Sequence, residues 1–221
     1  MQLLLARHGN TFGPGERVVW VGKNQDLHLV ERGREQAVEF ASAIERAGKH
    51  IVDVRCGPLA RTREFAEIIV DRLGLPAARI DERLDELDYG RWSGMTRAEI
   101  LERFGPEELD AWAAHSRWPR RAGFGSDSAT VLDEVRSLAF ELTSAHREAE
   151  GDAAALLVSS NGRLRYFLGL VPGEFERRTL DGTFAVGTGR ACRIDVSRDG
   201  RTAAALRYWN RDPNVQSELP F

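Results

Sequence analysis

The chain has 221 residues, 42% of them hydrophobic, which is enough to bury a sizeable core and favours one α/β domain over two small ones. A formal net charge of -3 argues against a nucleic-acid-binding protein. The apolar run at the N-terminus is too short for a signal peptide, and no segment approaches the roughly 20 apolar residues of a membrane span. We therefore expect a cytoplasmic protein that binds neither membranes nor nucleic acids.

Apolar runs that are typical of strands alternate with segments of helical periodicity, which predicts a layered α/β fold. The helical spacing is clear in residues 31–47, where the apolar positions share one face. The predicted strands cover residues 3–6, 51–55, 153–158, 190–196 and 203–208. The predicted helices cover residues 31–47, 60–73, 128–148 and 163–170.

Residues 96–121 are predicted to be helical in pieces, and the apolar side chains of Trp112 and Trp118 are expected to pack in the core or in a lid. A long stretch between core elements often covers a functional site. The chain shows no internal repeat, low-complexity tract or linker. The sequence therefore predicts a single domain over residues 1–221 with a helical lid insertion at about 96–125.

Two cysteines are too few for a disulfide framework and indicate a reducing compartment, with one bridge between Cys56 and Cys192 left open. Nothing near Cys56 in the sequence would lower the pKa of its thiol. We interpret Cys56 as a small buried residue and not as a nucleophile.

The first predicted strand ends in Arg7-His8-Gly9-Asn10-Thr11. A strand end that opens into a glycine-bearing loop is where α/β proteins place ligands. The planar guanidinium of Arg7 suits phosphate oxygens, and a neutral His8 can act as a nucleophile. Taken alone this signal is weak, because a single histidine is more often structural or solvated.

The second predicted strand leads into Pro58-Leu59-Ala60-Arg61. Arg61 therefore lies in the first turn of a helix, where the free backbone amides and the helix dipole favour an anion. An ordinary exposed helix arginine is the alternative interpretation, and Arg63 is a second candidate nearby.

Residues 84–94 form an acidic segment flanked by glycine, and three carboxylates compete within it: Asp85, Glu86 and Asp88. A carboxylic acid beside a phosphate ester can protonate the leaving oxygen. In isolation, a solvated acidic loop explains this segment equally well.

Taken in order, Arg7-His8-Gly9, Pro58-Leu59-Ala60-Arg61, and Glu86 with Gly90-Arg91-Trp92-Ser93-Gly94 resemble the histidine phosphatase superfamily, also called the phosphoglycerate mutase-like family. Residues 26–37 and the segment Gly125-Ser126-Asp127-Ser128 support the resemblance, which covers residue 3 to about residue 170. It implies a three-layer α/β/α sandwich with a mostly parallel central sheet and a helical lid.

The resemblance also implies a division of labour. His8 would attack phosphorus and become a phosphohistidine, while Arg7 and Arg61 bind the phosphoryl oxygens and stabilise the transition state. Glu86 would protonate the leaving group and then help to activate water. Asn10 and Thr11 would add hydrogen bonds at the loop, and the family uses neither a metal nor another cofactor.

The sequence departs from the family at the later strand, where Ser160 stands in place of a second histidine. Ser160, Asn161 and Gly162 are expected to bind phosphate through hydrogen bonds from this turn, although none of them supplies positive charge. An ordinary alternative is that Ser160 or Asn161 caps the helix that follows. A further hypothesis is that Arg163 reaches towards His8 and compensates for the missing imidazole.

These observations predict a metal-independent phosphatase that hydrolyses a small phosphorylated metabolite, with activity weakened by the loss of the second histidine. A phosphoglycerate mutase is the second enzymatic alternative. A degenerate member that binds a phosphorylated ligand or a partner protein without turnover is the third. The resemblance also suggests a homodimer. Residues 12–25 and 96–121 are expected to determine the substrate, but their sequences do not identify it.

Overall fold

The computed structural model describes residues 1–125, 127–149, 152–197 and 204–214. Ser126, one of the residues that support the family resemblance, therefore lies outside the described residues. The six strands are β1 (Gln2–Arg7), β2 (Ile51–Cys56), β3 (Arg79–Ile80), β4 (Ala154–Ser159), β5 (Ala191–Asp195) and β6 (Ala205–Arg211). The α-helices of the described residues are α1 (Glu31–Arg46), α2 (Ala60–Leu73), α3 (Arg97–Phe104), α4 (Pro106–His115), α5 (Ser128–Ala145), α6 (Asn161–Leu164) and α7 (Glu174–Leu180).

The strands form one mixed sheet in the order β3-β2-β4-β1-β5-β6. β3, β2, β4 and β1 run parallel to one another, whereas β5 pairs antiparallel with both β1 and β6. The carboxyl ends of β1 and β4 lie side by side, since Arg7 pairs with Ser159. The prediction of a mostly parallel sheet is confirmed.

The central strands bury side chains on both faces of the sheet. In β1, Leu3 and Leu5 join a core with residues of α3, α4 and α5, while Leu4 and Ala6 join a second core with residues of α1 and α2. Because successive side chains of a strand point to opposite faces, a continuous apolar run requires a layer on each side. This burial confirms the three-layer α/β/α architecture.

The sequence patterns did not predict strand β3 or helix α7. Strand β3 has only two residues, too few to show a period. Helix α7 buries none of its residues, so it lacks an apolar stripe. The helix predicted over residues 163–170 is instead the short α6 followed by a 3₁₀ helix, Arg165–Leu170.

The segment between residues 96 and 125 is held to the core by aromatic contacts. Trp112 is fully buried and makes edge-to-face contacts with Tyr89, Trp118 and Phe124, at ring-centroid distances of 6.0, 5.7 and 5.2 Å. The packing role expected for Trp112 and Trp118 is confirmed. The function of this segment as a lid, and the single-domain organisation, stay predictions. No helix in the described ranges is long and apolar enough to cross a membrane.

Candidate active site

A cavity of about 440 Å³ opens at the carboxyl ends of β1 and β4. Parallel strands direct their following loops to this edge, which is where open α/β sheets bind ligands. The cavity is lined by Arg7, His8, Asn10, Thr11, Phe12, Gly13, Val18, Val19, Trp20, Val21, Gly22, Arg61, Glu86, Tyr89, Asn161 and Thr188. The structure thus brings together seven of the nine predicted site residues; Ser160 and Gly162 do not line the cavity.

His8 follows β1 directly and is 5% exposed. Its Nδ1 lies 2.8 Å from the backbone oxygen of Gly9. A carbonyl oxygen only accepts, so Nδ1 carries the proton and Nε2 keeps its lone pair. Burial, together with the positive charges of Arg61 and Arg7, lowers the pKa of His8 well below its ordinary value of 6.5. The ring is therefore neutral at physiological pH, as a nucleophile requires.

The close packing of two chain segments explains why a glycine follows His8. A methyl group at Gly9 would overlap the backbone of Gly33 in α1, and one at Gly33 would overlap the backbone of Asn10. The two chain segments approach so closely that Val30 donates a backbone hydrogen bond to the Asn10 oxygen at 3.0 Å. Gly9 and Gly33 together allow the loop that carries His8 to pack closely against the start of α1.

Two guanidinium groups share the cavity with His8. Nη1 of Arg7 donates to the Val186 oxygen at 2.6 Å, while its Nε is buried with no hydrogen-bond partner in the described part of the chain. Arg61 donates from Nη1 to the Gln25 oxygen at 3.0 Å and from Nη2 to the Gly22 oxygen at 2.9 Å. Within the described ranges, neither arginine forms a salt bridge. Both groups are therefore oriented by neutral carbonyls and keep their charge for an anion.

Arg61 and its neighbour Arg63 differ in their relation to the cavity. It lies in the first turn of α2, whose first residue, Ala60, donates its backbone N–H to Oδ1 of Asp26 at 2.5 Å. Arg61 is 2% exposed and lines the cavity, whereas Arg63 does not.

Of the three competing carboxylates, only Glu86 lines the cavity. Its Oε1 accepts the Leu87 backbone N–H at 2.8 Å, and its Oε2 accepts the Gly162 N–H at 3.2 Å. Asp85 instead accepts the backbone N–H of Glu86 at 2.8 Å, and Asp88 accepts from Asn24 and Gly90. Burial, followed by the neighbouring charge of Glu86, raises the pKa of Asp85 to about 6.

The turn after β4 contributes Asn161, whose Oδ1 accepts the Val186 N–H at 2.8 Å. Ser160 occupies the position before α6, but its side chain makes no capping hydrogen bond, so capping by Ser160 is wrong. The Ser160 hydroxyl is buried and has no partner among the described residues. Phosphate binding by Ser160, Asn161 and Gly162 stays a prediction.

Arg163 does not face His8. Its Nε donates to the Asp85 oxygen at 2.8 Å, and its Nη1 pairs with the carboxylate of Glu134. Arg163 is absent from the cavity lining, so the hypothesis that it compensates for a second imidazole is wrong. Within the described residues, which include all five histidines, His8 is the one histidine that lines the cavity.

Sequence reasoning missed several lining residues. Tyr89 lies within the acidic segment, and burial, followed by the charge of Glu86, raises the pKa of its hydroxyl well above the usual value. Thr188 arrives from the loop before β5, and its hydroxyl donates to Oδ1 of Asn10. Trp20 also lines the cavity. The sequence places Thr188 between Gly187 and Gly189, and this glycine-rich turn is a weak signal for ligand binding. Nothing in the pattern around Trp20 indicates its position.

Cys56 and Cys192 are both free and buried. Burial raises the pKa of the Cys56 thiol to about 11 and that of Cys192 to about 12. The interpretation of Cys56 as an inert buried residue is confirmed, and no disulfide joins the two.

A family model described as histidine phosphatase superfamily (branch 1) matches residues 3–209. The chain belongs to the histidine phosphatase superfamily. The match continues past residue 170, where the motif resemblance ended, and so includes β5 and most of β6.

Curated relatives of this superfamily member include phosphatases and mutases. The chain is 31% identical to a glucosyl-3-phosphoglycerate phosphatase of Mycolicibacterium vanbaalenii over 165 residues, which is 73% of this chain and 69% of the relative. It is 30% identical to phosphoserine phosphatase 1 of Hydrogenobacter thermophilus, with 66% of each protein covered. A 2,3-bisphosphoglycerate-dependent phosphoglycerate mutase of Tropheryma whipplei is 32% identical, and the match spans half of each chain.

Solved structures agree with the fold. The mycobacterial glucosyl-3-phosphoglycerate phosphatase in complex with VO3 superposes with a TM-score of 0.80 at 25% identity, over 96% of this chain and 99% of the other. An α-ribazole phosphatase from Shigella flexneri superposes with a TM-score of 0.71 at 22% identity, over 96% of each chain.

Proposed function

We propose that this protein is a phosphatase that hydrolyses a small phosphomonoester through a phosphohistidine at His8. The observation that carries the proposal is the placement of a buried, neutral His8 in one cavity with Arg7, Arg61 and Glu86. The phosphatases among the relatives support the same reaction class. A cytoplasmic location and a homodimer stay predictions.

In the first step, the Nε2 lone pair of His8 attacks phosphorus and the bond from phosphorus to the ester oxygen breaks. The Glu86 carboxyl gives its proton to the departing oxygen, so the alcohol leaves neutral. Nδ1 keeps its proton and donates a hydrogen bond to the Gly9 oxygen. This hydrogen bond stabilises the positive charge that the phosphorylated ring acquires. Arg7 and Arg61 neutralise the charge on the phosphoryl oxygens in the transition state.

In the second step, water attacks the phosphohistidine and transfers a proton to the Glu86 carboxylate. The phosphorus–nitrogen bond breaks and its electron pair returns to Nε2. Inorganic phosphate leaves, while His8 is again neutral and Glu86 is again protonated. The two steps therefore restore every group without a metal or another cofactor.

A mutase is the second candidate, favoured by the curated mutases that match half of the chain. It requires the phosphohistidine to survive until a second substrate accepts the phosphoryl group. A degenerate binding protein is the third candidate, favoured by the absence of a second histidine from the cavity lining of the described residues. A coupled assay with 3-phosphoglycerate and its bisphosphate primer tests the mutase, and binding of phosphate esters without hydrolysis would indicate the third.

The deciding experiment measures hydrolysis of p-nitrophenyl phosphate with a chelator present, in the wild type, His8→Ala and the control His50→Ala. His50 is exposed and does not line the cavity. We expect His8→Ala to lose about 10³-fold or more in kcat, since a nucleophile acts as a unit with its partners. His50→Ala should keep the wild-type rate. Equal rates in the wild type and His8→Ala would overturn the proposal.

Adding Ser160→His to this assay tests whether the missing imidazole limits the rate. We expect kcat to increase, because an imidazole at this turn would supply a further donor to the phosphoryl group. A Ser160→His protein that folds but is no faster would show that the turn does not limit catalysis.

A further inference from the structure

The outer wall of the cavity is apolar. Beyond the groups assigned to the phosphoryl transfer and the hydroxyl-bearing Tyr89 and Thr188, the lining consists of Gly13, Gly22, Phe12 and the run Val18-Val19-Trp20-Val21. Val18 is 63% exposed at the mouth. Trp20 is held by edge-to-face contacts with Tyr89 and Trp92, both at ring-centroid distances of 5.3 Å. Because Tyr89 and Trp92 are buried, they hold the ring of Trp20 in place, and this ring presents an apolar surface to the leaving group.

The positive charge of the cavity is all at its floor. Within the described ranges, Arg7 and Arg61 are the only cationic side chains that line it. The nearby Arg17 is engaged elsewhere, since its Nη2 pairs with Oε2 of Glu99 at 2.6 Å, and it does not line the cavity. Both lining arginines are committed to the phosphoryl oxygens, so no lining cation is left for a carboxylate or a second phosphate.

The mouth also carries negative charge. The exposed Glu16 accepts the backbone N–H of Gly13, a lining residue, at 2.8 Å. A carboxylate on the substrate would therefore approach Glu16 and the apolar wall without a partner, which is unfavourable for a charged group.

We infer that the substrate is a phosphomonoester of an uncharged alcohol with an apolar face, such as an aryl-alkyl alcohol, and not a carboxylate-bearing ester of the phosphoserine or 3-phosphoglycerate type. This inference rests on the proposed phosphatase function. The phosphate lies on the arginines at the floor, and the apolar part of the alcohol packs on Trp20 and Val18. The cavity of about 440 Å³ is large enough to hold such a group beside the phosphate.

Three esters of primary alcohols test the inference: 2-phenylethyl phosphate, the same ester with a para-carboxylate on the ring, and glycerol 3-phosphate. The remote carboxylate leaves the leaving oxygen chemically similar, so the first pair isolates the effect of charge. We expect kcat/KM for 2-phenylethyl phosphate to exceed that of each other ester by about tenfold or more. Glycerol 3-phosphate has no ring to bury, and the carboxylated ester brings a charge that finds no partner.

Val18→Lys then places a cation at the mouth, on an exposed position where the fold tolerates it. We expect the ratio of kcat/KM between the uncharged and the carboxylated phenylethyl esters to fall about two- to fivefold, the size of an exposed ion pair. Val38→Lys is the matched control, because Val38 is a 41% exposed valine of α1 that does not line the cavity. It adds the same charge and should leave the ratio unchanged.

A carboxylated ester that is hydrolysed as well as, or better than, its uncharged partner would overturn the substrate class while leaving the phosphatase in place. If Val18→Lys and Val38→Lys lower the ratio of kcat/KM between the two phenylethyl esters equally, the alcohol part of the substrate does not bind at Val18. If none of these esters nor p-nitrophenyl phosphate is hydrolysed, the proposed function fails, and the substrate class fails with it.

Discussion

The backbone N–H of Gly162 donates to Oε2 of Glu86 at 3.2 Å, and a methyl group added to Gly162 would overlap both Glu86 and the hydroxyl of Tyr89. Gly162 thus binds the carboxylate of Glu86, the proposed proton donor, and its lack of a side chain leaves room for that carboxylate. Gly162 itself does not line the cavity, so its effect on catalysis would be exerted through Glu86.

Gly162→Ala should lower kcat by about 10²-fold, because displacing Glu86 removes general acid catalysis. KM should change less than kcat, since the arginines that bind phosphate are untouched. Steady-state kinetics on p-nitrophenyl phosphate, whose leaving group needs little protonation, and on an alkyl phosphate separates the effects. The loss should be larger for the alkyl ester, and an equal loss on both would contradict a role through Glu86.

The Ser160 hydroxyl is buried and finds no hydrogen-bond partner among the residues that the structure describes, whereas the adjacent Ser159 hydroxyl donates to the Leu84 oxygen at 2.6 Å. An unpaired buried polar group costs about 1–3 kcal/mol. Ser160→Ala should therefore raise the free energy of unfolding, and Ser159→Ala should lower it, in urea denaturation at pH 7. If the hydroxyl of Ser160 binds the phosphoryl group, kcat/KM should also fall about tenfold in Ser160→Ala. An unchanged kcat/KM would remove Ser160 from the phosphate site.

The ring of His8 should remain neutral at pH 6.5, because burial and the charges of Arg61 and Arg7 lower its pKa well below that value. A lowered pKa keeps the nucleophile unprotonated as pH falls through 6.5, so protonation of His8 should begin only at more acidic pH. Nitrogen-15 NMR of labelled histidine, with the signal assigned by its loss in His8→Ala, measures this directly. A midpoint at or above pH 6.5 would contradict the burial of the ring beside the charges of the two arginines.

An ion-pair network at the sheet edge should make the fold acid-sensitive. Burial alone would raise the pKa of Asp81, but hydrogen bonds from Arg83 and Arg55 outweigh it and lower the pKa from 3.8 to about 2. A lowered carboxyl pKa contributes stability that is complete above about pH 4 and is lost as pH falls towards 2. At most, this contribution is about 2 kcal/mol.

Asp81→Asn should remove that pH dependence. The measurement is the free energy of unfolding in urea at several pH values between 5 and 3, in the wild type and the variant. We expect a shallower slope for Asp81→Asn below pH 4, whatever its stability at neutral pH. Identical slopes would show that Asp81 does not titrate with folding.

The amino-acid sequence by itself determined the fold class and predicted that the candidate site residues meet at one edge of the sheet. Short apolar runs between helical segments require helices on both sheet faces. The Arg7-His8-Gly9 motif begins at the last residue of β1, and Arg61 lies in the first turn of the helix after β2, so their side chains meet at one sheet edge. These are local features, because each depends on residues close together in the chain.

Only the tertiary structure decided which neighbouring side chains enter the cavity. Asp85, Glu86 and Asp88 are chemically alike in sequence, and Glu86 points inward because a turn 76 residues away offers it the Gly162 amide. Arg163 points outward because Asp85 and Glu134 hold it there. Trp20 becomes a wall through its contacts with Tyr89 and Trp92. Such choices depend on partners distant in the chain, which no local pattern of apolar and polar residues encodes.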